Sequence, residues 1–101
     1  MRHILQVTSR ALPGCEADYD RWYAEIHLGE VLALPGFLRA DCYDQLGMDG
    51  RPTGVRVAQY EVETEDPAAL LKSLFAATPT MRLTDTLDPA SPSFSFLVPR
   101  A

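Results

Sequence analysis

Cysteine is nearly absent from this chain of 101 residues: Cys15 and Cys42 are the only two. Two cysteines allow one disulfide, but the dense spacing of a secreted disulfide scaffold is missing, so both read as free thiols packing as small apolar groups. Histidine is equally scarce, with His3 and His27 alone. No Cys-x-x-Cys pair and no His-x-x-x-His spacing is present, so no metal site is expected. No glycine-rich loop is available to cradle a phosphate, and no segment reads as a flavin or nicotinamide motif, so no cofactor is expected. Long apolar runs are missing too. None approaches the ~20 residues needed to cross a bilayer. Met1 leads into a strand-like segment instead of a basic region followed by an apolar run, and the expected location is cytoplasmic. Positive charge is in short supply: nine Lys and Arg stand against fourteen Asp and Glu, a formal net charge of −5. Such a chain repels nucleic-acid phosphates and anionic membrane surfaces, so neither is an expected partner.

What is present is ordinary for a folded protein. Apolar residues make up 47% and charged residues 23%, which speaks against disorder. The length fits one domain, residues 1–101. A domain this small buries a modest share of its surface, and association would add to its stability.

The residue pattern then divides the chain. His3 to Thr8 is rich in strand formers and stops at Leu12-Pro13-Gly14, a turn signal. A helix is predicted over Glu16 to Leu34. Tyr19, Trp22, Tyr23, Ile26, Ala33 and Leu34 recur on it at helical spacing, and Pro35-Gly36 ends it. A second strand runs from Phe37 to Gln45, with Phe37, Arg39, Asp41 and Tyr43 on one face and Leu38, Ala40, Cys42 and Asp44 on the other. After a loop rich in breakers, Val55 to Glu63 pairs back as a hairpin. Asp66 caps a second helix with Pro67 at its first position, and this helix ends near Thr78-Pro79. Thr80 to Pro92 reads as a loop containing at most one helical turn. Phe94 to Val98 is the fourth strand.

The order β-α-β-β-α-β predicts an α+β, ferredoxin-like fold, with both helices on one face of a four-stranded antiparallel sheet. The other face is left bare with Val, Leu, Phe and Tyr on it. Packing against the sheet of a second copy would cover it, so a homodimer is expected. RNA-binding modules share this strand pattern, but Arg56-Val57-Ala58-Gln59-Tyr60-Glu61 lacks their basic, aromatic central strand.

The stretch from Tyr19 to Phe37 resembles the EthD-like family of the dimeric α/β-barrel superfamily. The resemblance is carried by Trp22, Tyr23, His27, Pro35, Gly36 and Phe37, with Tyr43 and the strand Ala58-Gln59-Tyr60-Glu61 in support. It is sharp over about a fifth of the chain and diffuse elsewhere. Gly29 stands where family members often have proline. The resemblance implies a dimer of two ferredoxin-like sheets, each with a cleft between sheet and helices. Members include cofactor-free monooxygenases, polyketide cyclases, lactone isomerases, dechlorinating lyases and proteins without known activity, so fold does not choose among these.

His27 is the first candidate for catalysis, since imidazole gives and takes protons near neutrality. Tyr23 lies four residues before it and shares its helix face. Trp22 and Tyr23 offer flat walls to an apolar ligand. Glu30 is placed to orient the imidazole. The plainer alternative makes Trp22 and Tyr23 core residues and His27 a locally bonded residue at their edge. On the second strand Asp41 and Tyr43 are candidates for positioning ligand, Asp41 by raising the basicity of a histidine. Tyr60 is a candidate to line the cavity with its hydroxyl inward. His3, at a strand end, is expected to be solvated. The function expected is that of a small cofactor-free enzyme on an apolar, aromatic or polyketide-like carbonyl compound, by acid–base isomerisation, cyclisation or elimination. A cofactor-free monooxygenase and a non-catalytic accessory protein that holds a pathway intermediate are the alternatives.

Overall fold

The architecture follows from two long hairpin-forming strands at the middle of the chain and one short strand at each end. The structure, a computed structural model, describes residues 1–100. Strands β1 (Arg2–Ser9), β2 (Phe37–Leu46), β3 (Pro52–Glu63) and β4 (Ser93–Leu97) form one antiparallel sheet in the order β2-β3-β1-β4. Between β1 and β2 runs a helical rod of three segments: α1 (Glu16–Trp22), a π-helical turn (Tyr23–His27) and α2 (Leu28–Leu32). The second helix, α3 (Pro67–Ala77), joins β3 to the 3₁₀ turn Thr78–Thr80 and the loop before β4. This is the ferredoxin-like α+β arrangement that the element order predicts.

Local chemistry sets the boundaries. The Asp66 carboxylate accepts the Ala69 backbone N–H at 3.1 Å and Pro67 opens α3, as expected of a cap followed by a first-turn proline. Gly36 ends the first rod with φ at +89°, and a Cβ there would meet the Glu63 carbonyl and the Leu70 side chain, each at 3.1 Å. Any side chain at position 36 would therefore face both backbone strain and crowding. The loop before β4 is tied down by an isolated bridge between Ala11 and Leu87 and by the Leu12 N–H to Thr86 carbonyl bond at 2.7 Å.

The core lies between sheet and helices. Leu5, Ala58, Tyr60 and Val62 from the sheet meet Val31 and Leu74 from the helices. Phe37 joins them, which corrects the expected facing of β2. Phe37 pairs with Val62 and Arg39 with Glu61, so Leu38 is an extra residue in the strand. The bulge turns Phe37 to the covered face beside Ala40 and Cys42, while Arg39, Asp41 and Tyr43 stay on the open face.

The open face also departs from expectation in composition. Strand register sends Phe94 and Phe96 to the covered side with Val7 and Leu5. The open side keeps Ile4, Val57, Tyr43 and Leu97 around a polar centre, where the Gln59 amide donates to Gln6 Oε1 at 2.9 Å. An ion-pair run (Arg2 with Glu61 and Glu63, Arg39 with Asp41) borders it. Both cysteines are free, and no described helix is long and apolar enough to cross a membrane.

Candidate functional site

A cavity of about 370 Å³ opens between the sheet and the helices. Val7 and Tyr60 of the sheet lie on one side of it, Trp22, Tyr23 and His27 on another, and the segment after α3 closes it with Met81, Leu83 and Leu87. Among the described residues no carboxylate lines it, and no group of three His, Cys, Asp or Glu side chains could hold a metal ion.

The π turn builds the aromatic wall. The Leu28 N–H reaches back five residues to the Tyr23 carbonyl, one more than in an α-helix. In a regular α-helix residues five apart stand about 140° apart around the axis. The wider turn instead stacks Trp22 on His27, ring centroids 4.6 Å apart and planes 20° from parallel. Tyr23 meets the same imidazole edge-on at 5.0 Å. Two consecutive aromatic residues thus contact one histidine. The Trp22 indole N–H donates to the Arg82 carbonyl at 3.0 Å, fixing the indole against the loop.

His27 is largely withdrawn from water. Its Nδ1 is buried without a hydrogen-bond partner. Burial holds its pKa below the ordinary histidine value, and the nearby charge of Glu30 opposes that shift. Glu30 does not orient the ring by contact, contrary to the sequence reading. Both of its oxygens accept the Arg82 backbone N–H, each at 3.1 Å.

The phenols of Tyr23 and Tyr60 share a hydrogen bond at 2.9 Å. Burial pushes Tyr23 far above the ordinary phenol range and Tyr60 up to about 12, so both stay protonated. Two hydroxyls sharing one bond leave one O–H hydrogen to spare. Behind them Tyr19 and Ser9 form a buried hydroxyl pair. Ser9, Tyr19 and Tyr23 also border a second cavity of about 220 Å³ on the β2–β3 side. There Arg56 is engaged by Asp20 through a two-bond fork at 2.9 and 3.0 Å and by the Gly54 carbonyl at 2.9 Å.

Of the residues singled out in the sequence, the structure brings Trp22, Tyr23, His27 and Tyr60 together at the larger cavity. Asp41 and Tyr43 are not brought to it. Both stand on the open face of β2, where Asp41 is paired with Arg39 at 2.8 Å, so its carboxylate does not act on His27. Tyr43 borders only the smaller cavity. His3 lies off the cavity, with its ring edge-on to Phe96 at 6.3 Å. Sequence reasoning missed Ser9, Tyr19 as a polar group, and the Met81–Leu87 wall. The signal for Tyr19 was its place four residues before Tyr23. The loop gave no signal, because its partners are distant in sequence.

Solved structures share this fold, among them two bacterial proteins. One, described as an ethyl tert-butyl ether d (ethd) family protein, comes from Bacillus halodurans. It is 11% identical, with 97% of this chain and 99% of that chain covered and a TM-score of 0.57. The other is an uncharacterized NIPSNAP domain protein from Burkholderia xenovorans. It is 20% identical, with 98% and 95% covered and a TM-score of 0.58. At these identities the likeness establishes the chain fold, that of the ferredoxin-like relatives to which the Tyr19–Phe37 stretch points. Neither the protein-family models nor the curated proteins give a match.

Proposed function

We propose that this chain is a small cofactor-free acid–base enzyme for an uncharged, apolar carbonyl compound, aromatic or polyketide-like, and that it works as a homodimer. The observation that carries the reading is the desolvated His27 imidazole at an apolar cavity of about 370 Å³. A volume of this order suits a small organic molecule. A histidine kept neutral near pH 7 accepts a proton. The spare O–H of the Tyr23–Tyr60 pair supplies a donor to a carbonyl oxygen on which negative charge develops. Proton removal beside that carbonyl and return elsewhere is an isomerisation or cyclisation, and loss of a leaving group is an elimination. The absence of a carboxylate in the lining favours an uncharged or weakly acidic substrate over a cation. Homodimer formation is supported by the apolar residues Ile4, Val57, Tyr43 and Leu97 on a sheet face that no helix covers.

The test is a panel of aromatic and polyketide-like carbonyl compounds followed by NMR of the His27 ring and by product formation. Ligands should shift the His27 resonances, and His27→Gln should abolish turnover with the fold and dimer intact. Unchanged turnover in that variant removes His27 from the mechanism. One observation favours a second reading, in which the cavity only holds a ligand: His27 has no hydrogen-bonded orienting partner. Saturable binding with no product at any protein concentration would select it.

A further inference from the structure

The loop after α3 is hydrogen-bonded to the first helical rod through the backbone of one residue, Arg82. The Arg82 N–H is held by both Glu30 oxygens at 3.1 Å, and the Arg82 carbonyl is held by the Trp22 indole at 3.0 Å. On one side of Arg82, Met81 is buried in the core. On the other, Leu83 is 70% exposed although it borders the cavity. Leu87 is pinned again by its bridge to Ala11. The segment is therefore anchored at both ends and lines the cavity, with the Arg82 backbone as its fastening to the rod. The same fastening reaches the imidazole, since the indole it holds is stacked on His27.

We propose that Glu30 is a positioning residue: through the Arg82 backbone it latches the Arg82–Thr86 segment along the cavity and keeps Trp22 stacked on His27, so that entry to the cavity and exposure of the imidazole face are coupled. The role of the cavity as a binding site rests on the reading above, but the latch does not need a ligand to be measured. The single Arg82 N–H is shared between the two carboxylate oxygens in one bifurcated, charge-assisted hydrogen bond, which ties the loop to the rod. Freeing Arg82 leaves its carbonyl mobile, and the indole loses its fixed acceptor.

The experiment uses the ligand-free protein, in which Trp22 is the only tryptophan. Three signals are read: hydrogen exchange of the Arg82 amide, quenching of Trp22 by acrylamide, and the ring-current displacement of the His27 proton resonances. In Glu30→Ala the amide should exchange at least tenfold faster, the acrylamide quenching constant should rise at least twofold, and the His27 resonances should move toward unstacked positions. Glu30→Gln keeps an acceptor for the N–H and should retain most of the wild-type signals. Glu25→Ala, an exposed carboxylate of the same rod, should change none of them. If Glu30→Ala leaves the His27 resonances and the quenching constant unchanged while it remains folded, the latch is overturned. If it changes them no more than Glu25→Ala does, the same conclusion holds. A separate titration with 2-acetylnaphthalene, an uncharged aromatic carbonyl compound, tests the cavity. Failure of this compound to shift residues at the cavity counts against the proposed function and leaves the latch result standing.

Discussion

The depressed pKa of His27 makes stability depend on pH in a definite direction. In the unfolded chain the ring titrates near 6.5, and in the folded protein burial moves it lower. Between the two values the unfolded state carries the extra proton, so stability rises with pH there. The penalty is absent well above 6.5, appears as pH falls through the unfolded value, and stops growing below the folded value. For one proton the slope has a ceiling of about 1.4 kcal/mol per pH unit. The observed slope should stay under that ceiling, because the Glu30 charge favours the imidazolium. The perturbation is a set of urea unfolding curves from pH 7.5 to 5.5 for the wild type and His27→Gln. Only the wild type should carry the His27 slope. Two of the other shifted groups, Met1 and Glu63, titrate mainly beyond the ends of this window and do so equally in both proteins. The raised α-amino group of Met1 adds stability that is fully present well below its unfolded value of 8.0 and is lost as pH rises through its folded value. Glu63, held low by the α-amino group, adds stability above its unfolded value of 4.5, which is lost as pH falls through its folded value. Equal slopes for the two proteins between 7.5 and 5.5 would refute the claim that His27 is desolvated.

Two further predictions concern the same wall. Tyr23→Phe and Tyr60→Phe should each destabilise the fold by about 1 kcal/mol, and the double variant should lose less than their sum, because the second change removes the hydroxyl stranded by the first. Additive losses in thermal unfolding would show that the two hydroxyls do not depend on each other. At Gly29, exposed just after the π turn, a Cβ meets nothing within 4 Å. Gly29→Ala should therefore stabilise by roughly 0.5–1 kcal/mol through helix propensity, a rise of a few degrees in Tm. A fall in Tm would mean that the rod needs glycine at this position to carry its wide turn.

Much of the fold was readable because the period of the sequence changes sharply at its breakers. Leu12-Pro13-Gly14, Pro35-Gly36 and Asp66-Pro67 each fall at a real boundary, and local chemistry alone accounts for them. The Leu38 bulge was not readable. Phe37-Leu38-Arg39 fits either facing, and only pairing with Val62 and Glu61 on another strand decides. Asp41 and Tyr43 sat on the correct strand and shared a face as expected, but the face is the one turned away from His27. Alternation groups residues by side and does not say which side carries the helices. Similarly, Glu30 was recognised as a neighbour of His27 along the helix, whereas its hydrogen-bond partner came from a loop fifty-two positions away.

The site itself depends on a feature that no residue type announces. With Trp22 and Tyr23 adjacent, an α-helix would let only Tyr23, four residues before His27, share its face. The π turn admits Trp22 as well, and widening the turn gives up regular backbone bonding over Tyr23–His27. What offsets that loss lies outside the helix: the Arg82 carbonyl for the indole and the Tyr60 hydroxyl for the phenol. Both anchors are tertiary, and both belong to the cavity. The irregular turn, the loop fastening and the tyrosine pair are therefore one structure, and loss of either anchor should relax the turn and the histidine together.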